Sequence, residues 1–180
     1  MYISVHSPEL NVSGKGLGDA NLKAILEGNP HVVRMRLGNN RISDSGATCL
    51  ADFLRRNTRL ELLSLNANEV GSPGALMLAE SLKHNKVLTD LELRHNNIGD
   101  SGATALGQLL HLNQTLRKLA LSYNCIGDAG AHAIADGLRC SSSLTHLRCI
   151  PTQQAMASGR VGPMQRAITS GRVGVVFRHD

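Results

Sequence analysis

Residues 88–116 read LTDLELRHNNIGDSGATALGQLLHLNQTL and contain one full copy of a pattern that recurs along the chain. The copy has leucine at 91 and 93, asparagine at 96 and isoleucine at 98, in the order L-x-L-x-x-N-x-I. Shifts of 28 residues bring the same template into register again, with asparagine at positions 40, 68 and 124. A fixed apolar template at this period indicates a stack of repeated units.

Each copy predicts a short strand, a turn and a helix. Leu91 and Leu93 alternate with polar residues, as expected of a strand that buries one face. An Ala/Leu-rich segment with apolar residues at helical spacing follows the turn and predicts the helix. We interpret Pro73 as the first helical residue of its copy. The polar residues before the helices are interpreted as N-caps: Asp19, Asp44, Ser72, Asp100 and Asp128.

The asparagine of each copy lies where the chain leaves the strand. Its amide can donate to and accept from backbone groups of neighbouring units that would otherwise be buried without partners. We therefore predict a structural ladder formed by Asn40, Asn68, Asn96 and Asn124.

The repeats resemble leucine-rich repeats of the ribonuclease-inhibitor-like subclass. The residues that carry the resemblance read N-x-I-G-D-x-G-A-x-A-L from Asn96 to Leu106. They are similar to the repeats of ribonuclease inhibitor, of the Ran GTPase-activating protein and of NLR receptors. The resemblance implies an α/β fold, a right-handed solenoid that forms a horseshoe segment. Parallel strands would line its concave face and helices its convex face.

The template defines a leucine-rich-repeat domain over residues 1–150. We place a short first unit at 10–32, full units at 33–60, 61–88, 89–116 and 117–144, and a partial unit at 145–150. Residues 151–180 are predicted to be a non-repeat basic C-terminal tail or cap. Two alternatives stay open for it: a divergent cap with a strand at Val173 to Phe177, or an alternative terminus on a chain whose relatives continue repeating.

Composition and charge exclude several classes of function. Aromatic residues make up only 2% of the chain, which suits repeating aliphatic layers. The net charge is +5, but residues 1–150 hold 15 Lys and Arg against 13 Asp and Glu, which is not the basic stripe of a nucleic-acid-binding protein. No segment approaches the ~20 apolar residues of a membrane helix. We therefore expect a cytoplasmic protein, with a nuclear one as the alternative, and no nucleic-acid or membrane partner.

Cysteine and histidine spacings give no sign of a cofactor or a metal. The four cysteines include no C-x-x-C pair, and they are interpreted as reduced thiols: Cys49, Cys125, Cys140 and Cys149. The eight histidines include no H-x-x-H spacing. The glycine-rich segment from Ser13 to Gly18 is not a P-loop, because it lacks the G-x-x-x-x-G-K-[ST] order. We predict no metal, no cofactor and no catalytic residues.

The outward side chains of the strands form columns with one residue per unit, and these residues vary while the framework repeats. Such variation is how a generic scaffold becomes specialised, although a merely solvated face would look similar. Arginine and tyrosine are enriched at interface hot spots. The candidate partner-binding residues on the concave face are Arg34, Arg36, Asp90, Glu92, Arg94, His95, Lys118 and Tyr123.

The resemblance implies a protein that holds a protein partner on its concave face. We therefore predict a non-enzymatic protein-protein interaction module, an adaptor or regulator. The alternative is a GTPase-activating protein of the Ran GTPase-activating-protein type, acting in trans on a small GTPase. No residues of this chain can be assigned to that activity from the sequence.

Overall fold

The computed structural model describes residues 8–149 and 174–175, in which short strands alternate with helices. The strands are β1 (Glu9–Asn11), β2 (Arg34–Arg36), β3 (Leu62–Ser64), β4 (Asp90–Glu92), β5 (Lys118–Ala120), β6 (His146–Arg148) and β7 (Gly174–Val175). The helices are α1 (Asp19–Gly28), α2 (Asp44–Arg56), α3 (Ser72–Leu82), α4 (Asp100–Leu112) and α5 (Asp128–Cys140). The expectations for the rest of the chain, including most of the tail, lie outside the described residues.

The strands form one parallel sheet in which each strand pairs with the next in the chain. Met35 lies beside Leu63 and Leu63 beside Leu91, so each of these steps across the sheet advances the chain by one 28-residue unit. Leu10 lies beside Met35, which makes the first step three residues shorter. A helix follows each strand from β1 to β5 and packs outside the sheet. The predicted α/β solenoid, with strands on the concave face and helices on the convex face, is confirmed.

The core consists of aliphatic layers that repeat from unit to unit. Leu91, in β4, and Leu93, immediately after β4, point inward and are fully buried. Leu106, from α4, closes the same layer and is also fully buried. Burying one leucine side chain contributes about 1.5–3 kcal/mol. Because neighbouring units supply the walls of each layer, the units stabilise one another.

The asparagines of the template are buried at the exits of the strands. The Asn96 Nδ2 group donates to three backbone carbonyls, those of Leu65, Leu93 and Arg94, at 2.9–3.2 Å. Its Oδ1 atom accepts the backbone N–H of Val70 at 3.0 Å. The same pattern of donation to carbonyls and acceptance from the preceding unit holds for Asn40, Asn68 and Asn124. This asparagine ladder therefore joins consecutive units through their backbones.

The predicted N-caps are wrong by one residue. The N-cap positions are occupied by Gly18, Ser43, Gly71, Gly99 and Gly127. Asp100 is instead the first residue of α4, and its Oδ1 atom accepts the backbone N–H groups of Gly127 and Gly130 in the next unit at 2.7 and 3.0 Å. Pro73 correspondingly lies second in α3, not first. Asp44 accepts both equivalent N–H groups of the next unit, and Asp19 and Ser72 each accept the one at its N-cap residue. These residues therefore cap the following helix, not their own.

A second asparagine ladder, which the sequence analysis missed, lies where the helices end. The Asn113 Nδ2 group donates to the carbonyls of Leu82 and Asn85 at 2.7 and 3.2 Å, and its Oδ1 atom accepts the N–H groups of Thr115 and Leu116. Asn85 bonds in the same way to α2, and Asn57 to Pro30. The signal was present in the sequence, because positions 57, 85 and 113 are also 28 residues apart.

The sheet continues beyond the last complete repeat. β7 pairs in parallel with β6, with Gly174 beside His146 and Val175 beside Leu147. Both pairs are 28 residues apart, the same interval as in the repeats. The sheet thus keeps its period in a part of the chain where the sequence template is no longer recognisable.

Candidate functional site

The concave face carries side chains that pair across neighbouring strands. The Asp90 Oδ1 atom on β4 lies 2.8 Å from Lys118 Nζ on β5, and Glu9 Oε1 on β1 lies 2.7 Å from Arg36 Nε on β2. The Asp90 side chain is only 17% exposed, whereas that of Lys118 is 57% exposed. Lateral pairing therefore engages both carboxylates and leaves the Lys118 side chain partly exposed to solvent.

Glu92 and Arg36 are also linked to their surroundings. The Glu92 Oε2 atom accepts a 2.7 Å hydrogen bond from the Asn66 side chain on the neighbouring unit. The Asn66 Oδ1 atom in turn accepts the backbone N–H of Arg94 at 2.9 Å. The hydrogen bond to Glu9 raises the pKa of the Arg36 guanidinium above its ordinary value, opposed by burial and assisted by the charges of Glu9 and Glu92. Arg36 therefore stays charged.

His95 and Tyr123 form a stacked pair of rings at the edge of this face. Their ring centroids are 4.2 Å apart and their planes differ by 11°. Both residues have left-handed backbones, with φ of 53° for His95 and 59° for Tyr123, and so do Asn39 and Ala67 at the same repeat position. A left-handed non-glycine residue costs about 1–2 kcal/mol, which the repeated turn must offset. The turn fixes both backbones and presents the rings outward, with Tyr123 48% exposed.

The remaining predicted site residues are spread across the face. Arg34 is exposed on β2, and Arg94 is half-buried immediately before His95. Within residues 8–149 neither guanidinium forms an ion pair. The structure thus brings together Asp90 with Lys118 and His95 with Tyr123, while Arg34 lies two strands from Asp90.

A groove between α1 and α2 on the convex face was not predicted. Its volume is about 920 Å³, and its walls include the apolar side chains of Leu26 and Phe53 and the half-buried thiol of Cys49. Burial, followed by the charge of Asp52, raises the pKa of that thiol. The sequence signal for a gap here was the first unit, which is three residues shorter than the others.

The described residues show free cysteines and no cluster of metal-binding side chains. Cys125 and Cys140 are exposed, Cys49 is half-buried, and Cys149 is buried. No group of three or more His, Cys, Asp or Glu side chains within the described ranges could hold a metal ion. In the same part of the chain no helix is long and apolar enough to cross a membrane.

Three segments of the chain match the leucine-rich-repeat family model. They cover residues 28–51, 84–107 and 112–135, and each runs from the end of one helix through a strand into the next helix. The protein therefore contains leucine-rich repeats, which agrees with the strand, turn and helix of each unit.

One solved structure similar to this chain is actin-binding site 2 of leiomodin-1. The match has a TM-score of 0.66 and 23% sequence identity, and it covers 86% of this chain and 91% of that one. At 23% identity the similarity between the two structures shows a shared fold and no more. Among curated protein sequences no relative matches this chain.

Proposed function

We propose that this protein is a non-enzymatic protein-protein interaction module that binds a protein partner on the concave face of its solenoid. The observation that carries the proposal is the His95–Tyr123 stack beside Arg94. A preformed aromatic surface loses little conformational entropy on binding, and tyrosine and arginine are among the side chains that dominate interfaces.

The framework around the stack supports the same function. The left-handed turns hold the rings, and the asparagine ladder fixes the turns to neighbouring units. The partner-facing positions on β2, β4 and β5 can therefore vary without disturbing the core. The similar fold of the leiomodin-1 site, which is named for actin binding, supports a protein as partner.

Finer assignments belong to the same proposal. The 28-residue period supports the ribonuclease-inhibitor-like subclass, and we retain residues 1–150 as the repeat domain and 151–180 as a cap or tail. The eight candidate residues of the concave face stay the proposed site.

The test is affinity capture with the full chain, followed by measurement of the recovered partner's Kd. Arg94→Ala with Tyr123→Ala should weaken binding by ~30-fold or more if these residues are hot spots. The matched control is Arg139→Ala with Leu112→Ala, which removes one arginine and one exposed apolar side chain from the helices. Unchanged affinity in the first double variant would overturn the proposed site. Accelerated GTP hydrolysis by a small GTPase would replace the proposal by the GTPase-activating alternative.

A further inference from the structure

We infer that the partner segment taken by the concave face is an acidic, carboxylate-rich stretch of protein, bound by Arg34, Arg94 and Arg148. This inference rests on the proposed function and specifies the chemistry of the partner.

The charges on the outward positions of the sheet are unequal. In the strands from β1 to β6, and two residues beyond the end of β4, these positions carry five cations: Arg34, Arg36, Arg94, Lys118 and Arg148. The same positions carry three carboxylates: Glu9, Asp90 and Glu92. The described face is therefore net positive, although residues 1–150 as a whole are nearly balanced.

The carboxylates are already engaged within the face. Asp90 pairs with Lys118 at 2.8 Å, Glu9 with Arg36 at 2.7 Å, and Glu92 accepts a 2.7 Å hydrogen bond from Asn66. No such pair within residues 8–149 involves the guanidinium groups of the three arginines Arg34, Arg94 and Arg148. These arginines therefore supply the uncompensated charge.

Their arrangement suits an extended segment that crosses the strands. The arginines belong to the units of β2, β4 and β6, every second strand of the sheet. Parallel strands are about 5 Å apart, so the strands that carry the arginines are about 10 Å apart. Arg94 also lies four residues, about 13 Å, further along its strand than the register position of Arg34. An extended peptide advances about 3.3 Å per residue, so one that crosses the strands obliquely, with carboxylates about three to five residues apart, can reach successive guanidinium groups. Arginine binds a carboxylate through two parallel hydrogen bonds.

The strands between those that carry the arginines place no large or charged side chain in register with Glu92. The residues there are Ser64 on β3 and Ala120 on β5, which are both small and uncharged. The two carboxylates on β4, Asp90 and Glu92, favour a peptide over a nucleic acid. A phosphate backbone has a negative charge at every nucleotide, so some of its phosphates must lie against these two carboxylates and be repelled. A peptide can place an uncharged residue beside them.

The experiment uses the full chain and a fluorescein-labelled glutamate peptide of eight residues, with glutamate at its first, fifth and eighth positions and serine elsewhere. It spans about 26–29 Å when extended. Peptides of eight serines and eight lysines and an eight-residue oligothymidylate are measured in parallel. We expect saturable binding of the glutamate peptide that weakens as salt is raised, because exposed ion pairs are screened. Equal or tighter binding of the oligothymidylate would overturn the inference.

Two triple variants with the same loss of charge locate the binding. Arg34→Gln with Arg94→Gln and Arg148→Gln should weaken the glutamate peptide by about tenfold or more. The control, Arg56→Gln with Arg59→Gln and Lys86→Gln, changes exposed residues away from the sheet and should shift the Kd by less than about twofold. Circular dichroism checks that both variants fold. Equal weakening in the two variants would overturn the inference, since it would show attraction by net charge only.

The captured partner separates this inference from the proposed function. We expect the glutamate peptide to displace that partner from the wild-type chain. If the peptide fails to displace a partner that depends on Arg94 and Tyr123, the acidic segment is wrong and the binding module stands. If the partner does not depend on Arg94 and Tyr123, the proposed site itself is wrong.

Discussion

The carboxylate of Asp100, the first residue of α4, accepts a 2.7 Å hydrogen bond from the backbone N–H of Gly127, which caps the N-terminus of α5. The same oxygen accepts the N–H of Gly130 inside α5. A carboxylate from one unit therefore satisfies free N–H groups of the next helix and interacts favourably with its dipole.

Replacing Asp100 by alanine should destabilise the stack. Hydrogen bonds to charged groups contribute about 1.5–3 kcal/mol, and the free energy of unfolding should fall by about that amount. Urea denaturation measures the loss. Asp136→Ala is the matched control, because this exposed carboxylate pairs within residues 8–149 only with nearby Arg139, and such pairs contribute about 0–1 kcal/mol. Equal losses in both variants would contradict the inter-unit cap.

Asn96→Ala should lower stability while Asn97→Ala should not. The Asn96 amide bonds to backbone groups of two units and is 9% exposed. The exposed Asn97 side chain, by contrast, has one hydrogen-bond partner within residues 8–149, the thiol of Cys125, which donates to its Oδ1 atom. Leaving a buried backbone group without a partner costs about 1–3 kcal/mol. Thermal unfolding of the two variants compares neighbouring asparagines directly. An unchanged melting temperature for Asn96→Ala would show that the ladder is dispensable.

Gly107→Ala should force α4 and α5 apart. An added Cβ atom would lie 2.3 Å from the carbonyl oxygen of Ala133, which is backbone and cannot move alone. Overpacking of this kind costs about 1–3 kcal/mol. Gly28→Ala is the control, because a Cβ there meets nothing within 4 Å and alanine favours the helix. Chemical denaturation should therefore shift in opposite directions for the two variants; a stable Gly107→Ala variant would contradict the close helix contact.

The thiol of Cys149 is buried, and its titration links stability to pH. Burial raises the pKa of this thiol to about 12. Below pH 9 the thiol is protonated in both the folded and the unfolded chain, so it adds no pH dependence. Between pH 9.0 and about 12 only the unfolded chain loses the proton, so Cys149 lowers stability as pH rises.

Removing residues 150–180 should expose Cys149, and thiol titration at pH 8 measures that exposure. In the full chain Cys125 and Cys140 should react fast and Cys149 slowly. In the truncated chain β6 loses its partner β7, and a third fast thiol should appear. Cys149→Ala in the truncated chain should remove that third thiol. Identical titrations of full and truncated chains would show that the tail does not protect the last unit.

Local pattern determined much of this fold. The alternation at Leu91 and Leu93 and the helical spacing around Leu106 each depend on side chains within one unit, and the 28-residue period forces these units to stack. The eight residues of the candidate site follow from the register alone, because the outward positions of parallel strands align one unit apart.

Contacts between units were harder to anticipate. Propensity rules consider only neighbours in the chain, so they assign Asp100 to the cap of its own helix, whereas its carboxylate accepts the N–H groups of Gly127 and Gly130 in the next unit. A strand at Val173 to Phe177 is only one of two alternatives for the tail, since a strand this short carries almost no pattern. The pairing of Val175 with Leu147 depends on the tertiary structure.

The sequence by itself determined the repeat, the aliphatic core and which residues face outward, because these depend on periodicity and on burying apolar area. The register also predicts Asp90 beside Lys118 and Tyr123 one unit from His95. Only the tertiary structure decided that the first two form an ion pair, that the two rings stack, and that Arg94 has no acidic partner within residues 8–149. The physical reason is that hydrogen bonds and ion pairs depend on distances of about 3 Å, which the curvature of the stack and the left-handed turns set.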